Sequence, residues 1–283
     1  LSPRHRRIGI IAGEGTLPAA VARAAQERGC DPFIIALSSA PADIENFPHH
    51  RVQIGEVGRI LRILRREGCT SLVFVGRLRR PNVWRIRVDT GFLRLLPELL
   101  PLLKGGDDKV LRGVARFFER RGFEVFGTHQ VAPHLLAPAG SFGRVQPSSR
   151  DREDMALGLQ VLKALGPFDI GQAVAIAHNY VLAVEAAEGT DAMLERCRSL
   201  NNWGSASRKG VLVKAPKQGQ DLRLDLPAIG PRTVDLAADA GLAGIAVQAG
   251  AVLLANSEEL VEKADRGGIF LYGVSSGEQP GGE

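Results

Sequence analysis

The chain has 283 residues, 45% apolar and 24% charged, with 33 Gly and 16 Pro, a globular composition that excludes disorder, collagen-like repeats and a disulfide scaffold. The net charge of +5 is uneven: residues 1–147 carry 23 Lys and Arg against 13 Asp and Glu, and residues 148–283 carry 13 against 18. Three cysteines without a C-x-x-C spacing point to a reducing compartment and away from zinc-ribbon or thioredoxin-type chemistry. No apolar run approaches the ~18–20 residues that span a bilayer, and the apolar stretch 8–12 is too short for a signal peptide. A cytoplasmic protein of two domains is expected.

In chain order, 7–12 reads as a buried strand that stops at Gly13-Glu14-Gly15-Thr16-Leu17-Pro18. An alanine-rich helix follows, closed by Gly29, and 32–37 is the next strand. Strand, glycine loop, helix and strand make a βαβ unit, and the apolar strands imply a parallel sheet covered on both faces. A basic amphipathic helix over 57–67, a strand over 71–76, two helices over 92–103 and 110–121, and a strand over 123–126 complete a doubly wound first domain. Proline and glycine breakers over 132–149 read as a linker or domain crossing.

The second half opens with a helix over 152–165. Strands over 172–177 and 180–184 are joined by His178-Asn179, a two-residue hairpin signal. A helix over 190–197, a strand over 210–215 and an irregular polar segment over 221–230 follow. Pro231 starts a helix; 245–254, a helix over 257–264 and 269–272 complete a mixed α/β unit. The expected division is 1–135 for a Rossmann-like domain, 136–149 for the linker, 150–275 for the second α/β domain and 276–283 for a disordered tail.

Several segments have the chemistry of a phosphate site. Gly13, Glu14, Gly15 and Thr16 lie between a strand and a helix, where backbone N–H groups and the helix dipole suit an anion. The same spacing also fits a tight turn that binds nothing, and Pro18 stands where a third fingerprint glycine belongs, which argues against a dinucleotide-binding oxidoreductase. Gly76 and Arg77 leave another strand at the same sheet edge, with guanidinium forks suited to phosphate. Asp107 and Asp108 at a helix start are either caps or ribose contacts. His129 and His178 lack partners at metal-ligand spacing, and no G-x-S-x-G elbow occurs, which excludes a serine hydrolase of that type. Few Trp and Tyr leave little stacking surface for nucleic acid.

The densest polar cluster is 214–233. In an extended segment, Asp221, Arg223 and Asp225 would share one face beside Lys214 and Lys217. Two such carboxylates suit a hard divalent ion, and the cations suit phosphate oxygens, the parts of metal-assisted phosphoryl transfer to water. Glu185 and Asp191 are the natural additional acids, although Thr190 or Asp191 as a helix cap is the simpler reading.

Four segments, IIAGEGTLP, GGDDKVLRGVARFFE, AVEAAEGTDAMLERC and VKAPKQGQDLRLDLPAIGPRTV, resemble the LpxI family of UDP-2,3-diacylglucosamine pyrophosphatases of bacterial lipid A biosynthesis, in its alphaproteobacterial form. The resemblance implies two α/β domains with the lipid in the crevice between them. It implies hydrolysis to UMP and 2,3-diacylglucosamine 1-phosphate, with Mg²⁺ (or Mn²⁺) as cofactor and water attacking the β-phosphorus. Asp225 is the essential acid on this reading. Asp221, Arg223, Lys214 and Lys217 join it in catalysis, and Asp225, Asp221, Glu185 and Asp191 form the metal set. Gly13, Glu14, Gly15, Thr16, Gly76, Arg77, Asp107, Asp108, Thr128 and Gln146 hold the nucleotide or phosphates from the first domain, with Gln220 also in contact. The expected partners are a lipid-linked UDP-sugar, the inner face of the inner membrane and a second copy in a homodimer, with no nucleic acid. The leucine-rich stretch 92–103 would form either one wall of an acyl channel or a core helix.

Overall fold

The computed structural model describes residues 7–37, 40, 42–77, 89, 91, 107–200 and 209–275. Two compact units emerge: 1–133 with 221–225, and 134–220 with 226–283.

In the first unit, strands β1 (Arg7–Ala12), β2 (Asp31–Leu37), β3 (His49–Val52), β4 (Ser71–Val75) and β5 (Glu124–Phe126) form a parallel sheet in the order β3-β2-β1-β4-β5. Helices α1 (Leu17–Glu27), α2 (Val57–Arg66), α3 (Asp107–Glu119) and the short α4 (Thr128–Val131) connect and follow the strands. Ile11, Phe33, Ile35, Leu72 and Phe74 point to one face and pack on Ile60 and Leu64 of α2 and Phe117 and Phe118 of α3. Helix α1 packs against β1, β2 and β4. Burial on both faces is why these strands are continuous apolar runs. Helix α2 is amphipathic, with Ile60, Leu61, Ile63 and Leu64 buried and Arg59, Arg62, Arg65 and Arg66 exposed.

The second unit holds β6 (Gly140–Ser141), β7 (Ala173–Ala177), β8 (Tyr180–Val184), β9 (Val211–Lys214), β11 (Gly244–Gln248) and β13 (Phe270–Val274), in the order β6-β13-β11-β9-β7-β8. Strands β9, β11 and β13 are parallel, and β6, β7 and β8 each run antiparallel to a neighbour. A separate parallel pair joins β10 (Ala228–Ile229) to β12 (Leu253–Leu254). Helices α6 (Thr190–Leu200), α7 (Pro231–Asp239) and α8 (Ser257–Gly267) supply Met193, Val234 and Leu260 to a core with Leu212, Ile245 and Leu271. Helix α5 (Ser149–Leu165) covers the opposite side, where Met155 and Leu162 meet Val211, Val213 and Phe270. A Cβ on Gly158 would lie 2.5 Å from Val213, so only glycine lets α5 lie this close to β9.

Helix α5 begins with a capping box: Asp151 N donates to Ser148 Oγ (3.2 Å), and Ser148 N donates to Asp151 Oδ2 (2.8 Å). The hairpin between β7 and β8 forms as expected, yet His178 and Asn179 both adopt positive φ, 55° and 61°. Asp154, fully buried on α5, accepts His178 N at 3.0 Å and Asn179 N at 2.6 Å. That carboxylate holds a turn which glycine would otherwise favour.

The α/β class, the parallel first sheet and the mixed second sheet agree with the sequence reading. Three features differ. The expected linker 136–149 carries β6, paired with Tyr272 and Gly273, and buries Ala137. Proline and glycine flank a short edge strand as readily as they flank a linker. Strand β3, with two histidines and an arginine, lacked an apolar signal. Segment 221–225 clusters with the first unit although its sequence neighbours belong to the second. The expected helix 92–103 and tail 276–283 lie outside the described residues.

Candidate active site

Residues 221–225 are not extended. Leu224 N and Asp225 N both donate to Asp221 O (3.0 and 3.4 Å), closing a turn, and Leu224 is buried in the core of the first unit. The alternation expected for Asp221, Arg223 and Asp225 is thereby replaced by a local clasp. Asp221 Oδ1 accepts Arg223 N (3.0 Å) and Nε (3.1 Å), and Oδ2 accepts Nη2 (2.8 Å). Arg223 Nη1 donates to Glu119 Oε1 at 3.0 Å. The Arg223 guanidinium holds the Asp221 carboxyl below the usual aspartate range, outweighing burial, with Arg112 adding a smaller attraction. Two carboxylates in turn push the guanidinium pKa up. Arg223, Glu119, Phe123, Phe126 and Gln130 line an open cavity of about 530 Å³ within this unit. Asp225 ends the turn, half-buried.

Order β3-β2-β1-β4-β5 puts the topological switch between β1 and β4, where ligands of such sheets bind. The Gly13 and Gly76 loops do meet there, but they are joined to each other. Gly13 N donates to Val75 O (2.8 Å), Glu14 N to Arg77 O (2.9 Å) and Arg77 N to Glu14 O (3.0 Å). A Cβ on Gly13 would lie 2.5 Å from Arg77 O, and Gly76 has φ +92°. These glycines therefore permit close approach of two backbones. The N–H groups of Gly13 and Glu14 are engaged within the loop pair, which corrects the expectation that they face a phosphate. Gly15 and Thr16 remain exposed, and Thr16 is the N-cap of α1 without a side-chain cap bond.

Thr128 is buried in α4, whose first turn is closed by Gln130 Oε1 accepting Gly127 N (2.8 Å). Gln146 falls in the second unit rather than the first, where its Oε1 accepts Ser141 Oγ at 2.7 Å. Asp107 and Asp108 start α3, and their side chains lie outside the described residues.

In the second unit, four nominated residues share one rim of the sheet. Lys214 ends β9, Glu185 follows β8, and Lys217 and Gln220 bound a turn with Gly219 at φ +79°. Lys214 and Thr190 are buried, and Lys214 Nζ donates to Thr190 Oγ1 at 2.7 Å. Thr190 Oγ1 donates to Glu185 Oε1 (3.0 Å), whose Oε2 accepts Gln172 N (3.0 Å). Gln220 Oε1 accepts Gln172 Nε2 and Lys217 N, each at 2.9 Å. The Lys217 ammonium pairs with Asp169. Asp191 instead accepts Arg232 Nε at 2.9 Å in an exposed pair. Glu119, Gln172 and Thr190 were not expected as polar partners. Glu119 and Arg223 are 104 positions apart, and no local pattern signals such a pair.

No group of three or more His, Cys, Asp or Glu side chains suited to a metal ion occurs among the described residues. Asp221 is engaged by Arg223, Glu185 by Thr190 and Gln172, and Asp191 by Arg232. Asp221 and Asp225 belong to the first unit and Glu185 and Asp191 to the second, and Asp221, Glu185 and Asp191 are each hydrogen-bonded within their own unit.

The family model described as the LpxI N-terminal domain matches residues 7–135, and the LpxI C-terminal domain matches 138–272. The chain is 41% identical over 279 residues to the UDP-2,3-diacylglucosamine pyrophosphatase LpxI of Caulobacter vibrioides, covering 97% of this chain and 100% of that protein. Among solved structures, glycinamide-RNase-transformylase T from Mycobacterium tuberculosis is similar at 14% identity and a TM-score of 0.25, covering 64% of this chain and 44% of that one. With both halves matched in order and a relative aligned along its whole length, the chain belongs to the LpxI family.

Proposed function

We propose that the chain hydrolyses UDP-2,3-diacylglucosamine to UMP and 2,3-diacylglucosamine 1-phosphate in lipid A biosynthesis. The observation that carries this reading is the full-length identity to a pyrophosphatase with that substrate in its name. Water oxygen bonds to the β-phosphorus, the bond from that phosphorus to the bridging oxygen breaks, and UMP departs with the bridging oxygen. A diphosphate needs cations against its developing charge. Arg223, Lys214 and Lys217 are the residues we assign to that task, with Asp225 as the essential acid. Asp221 we assign to holding Arg223.

Mg²⁺ stays in the reading as an ion carried by the diphosphate, because Mg²⁺ commonly takes only one or two protein carboxylates beside substrate phosphates. Asp225 is the carboxylate we assign to it. A diacylated substrate resides at a membrane surface, so the reading includes peripheral contact with the inner membrane.

Turnover in water labelled with heavy oxygen tests the reaction. Label is expected in the sugar phosphate and not in UMP, with activity abolished by EDTA and by Asp225→Ala. Label in UMP places attack on the α-phosphorus. Absence of UMP release leaves a non-catalytic binding protein. Full activity in EDTA removes the ion, and full activity of a folded Asp225→Ala protein removes that assignment.

A further inference from the structure

Lys214 is 7% exposed and Thr190 5% exposed, so an ammonium group sits out of water with the Thr190 hydroxyl among its partners, at 2.7 Å. Burying a cation is costly unless charge and hydrogen bonds compensate it. A carboxylate lies one hydroxyl away, because Thr190 Oγ1 donates its single proton to Glu185 Oε1 at 3.0 Å. A hydroxyl has one proton and two lone pairs. Once that proton is committed to Glu185, only lone pairs face Lys214, and the chain Lys214–Thr190–Glu185 has one direction. Glu185 is itself fixed, since its other oxygen accepts Gln172 N at 3.0 Å. All these groups lie where β9 ends, at the carboxyl side of the parallel strands, the side on which α/β sheets bind ligands.

We propose that Thr190 and Glu185 are positioning residues that act through Lys214, holding its ammonium in one orientation toward the anionic diphosphate. This rests on the hydrolase reading above. A lysine on a flexible four-carbon stem loses rotamer freedom whenever it is used. Thr190 imposes that loss during folding rather than during turnover, so the cation needs no reorganisation when charge develops. Glu185 thus serves as the anchor of a hydroxyl rather than as a metal ligand.

Steady-state hydrolysis of UDP-2,3-diacylglucosamine by the full chain tests the assignment. Thr190→Val, which removes the hydroxyl at constant shape, is expected to lower kcat about 10- to 100-fold, the range for losing one hydrogen bond to a charged group. KM is expected to change much less. Thr190→Ser restores kcat, and Lys214→Met loses activity and also lowers thermal stability, because it leaves the Glu185 carboxylate without its buried cation. Should Thr190→Val fail to fold, Glu185→Gln reports instead, with the same fall in kcat at near-constant KM. An undiminished kcat in Thr190→Val or Glu185→Gln overturns the proposal, as does a loss that Thr190→Ser does not restore. An inert unaltered protein overturns the hydrolase reading itself, whereas normal turnover with undiminished variants overturns only this inference.

Discussion

Arg223 is held by carboxylates from two sides, and the sign of the Asp221 shift says how this clasp responds to pH. The Asp221 pKa is lowered by its bonds to Arg223. Its stabilising contribution is complete above the ordinary aspartate value of about 3.9 and is lost as pH falls through the lower folded value. The pair is partly exposed, 41% for the Arg223 side chain and 19% for Asp221, which limits its worth to about 1 kcal/mol. Asp221→Asn is therefore expected to lower stability by that small amount at neutral pH, with the difference from the unaltered protein vanishing in acid. Denaturant titrations at several pH values measure this directly, and a difference that grows in acid contradicts the assignment. Neither the clasp nor Glu119 was legible in the sequence. The i to i+2 spacing of Asp221 and Arg223 suggested a shared strand face, but Arg223 N and the Asp221 carboxylate close a turn instead.

At the scale of elements, apolar runs and breaker residues located most strands and helices because their burial leaves a periodic trace. Elements whose order comes from partners were missed. Strand β3 is one, and β6, only two residues long, is another. The β7–β8 hairpin shows both sides of this. Its two-residue turn was legible, but the reason it tolerates His178 and Asn179 at positive φ is Asp154, 24 and 25 positions earlier. Asp154→Ala removes two charge-assisted acceptors from that turn, and a loss of about 2 kcal/mol is expected from chemical denaturation. A change within a few tenths would show the turn to be self-sufficient. The joined loops after β1 and β4 carry the same lesson: glycine at 13 and 76 reads equally as a phosphate cradle or as room for another backbone. The bonds between Glu14 and Arg77 show that this room is used by another backbone.

At the scale of the whole molecule, the chain's basic excess lies in residues 1–147 and its acidic excess in 148–283. If the basic half meets anionic lipid, as the proposed substrate suggests, sedimentation with anionic vesicles should be strong at low salt and fall steeply as screening shortens the reach of each charge. Binding that ignores salt, or none to anionic vesicles, removes the membrane contact from the reading. Composition, apolar periodicity and the four motif segments determined the α/β class, the two-domain division and the LpxI resemblance, because burial and local backbone chemistry are written in contiguous residues. The tertiary structure alone decided that Asp221 is bonded to Arg223, that Glu185 is bonded to Thr190 and Gln172, and that the Gly13 and Gly76 loops close on each other. Each of those outcomes depends on hydrogen-bond partners and backbone geometry that spacing along the chain does not encode.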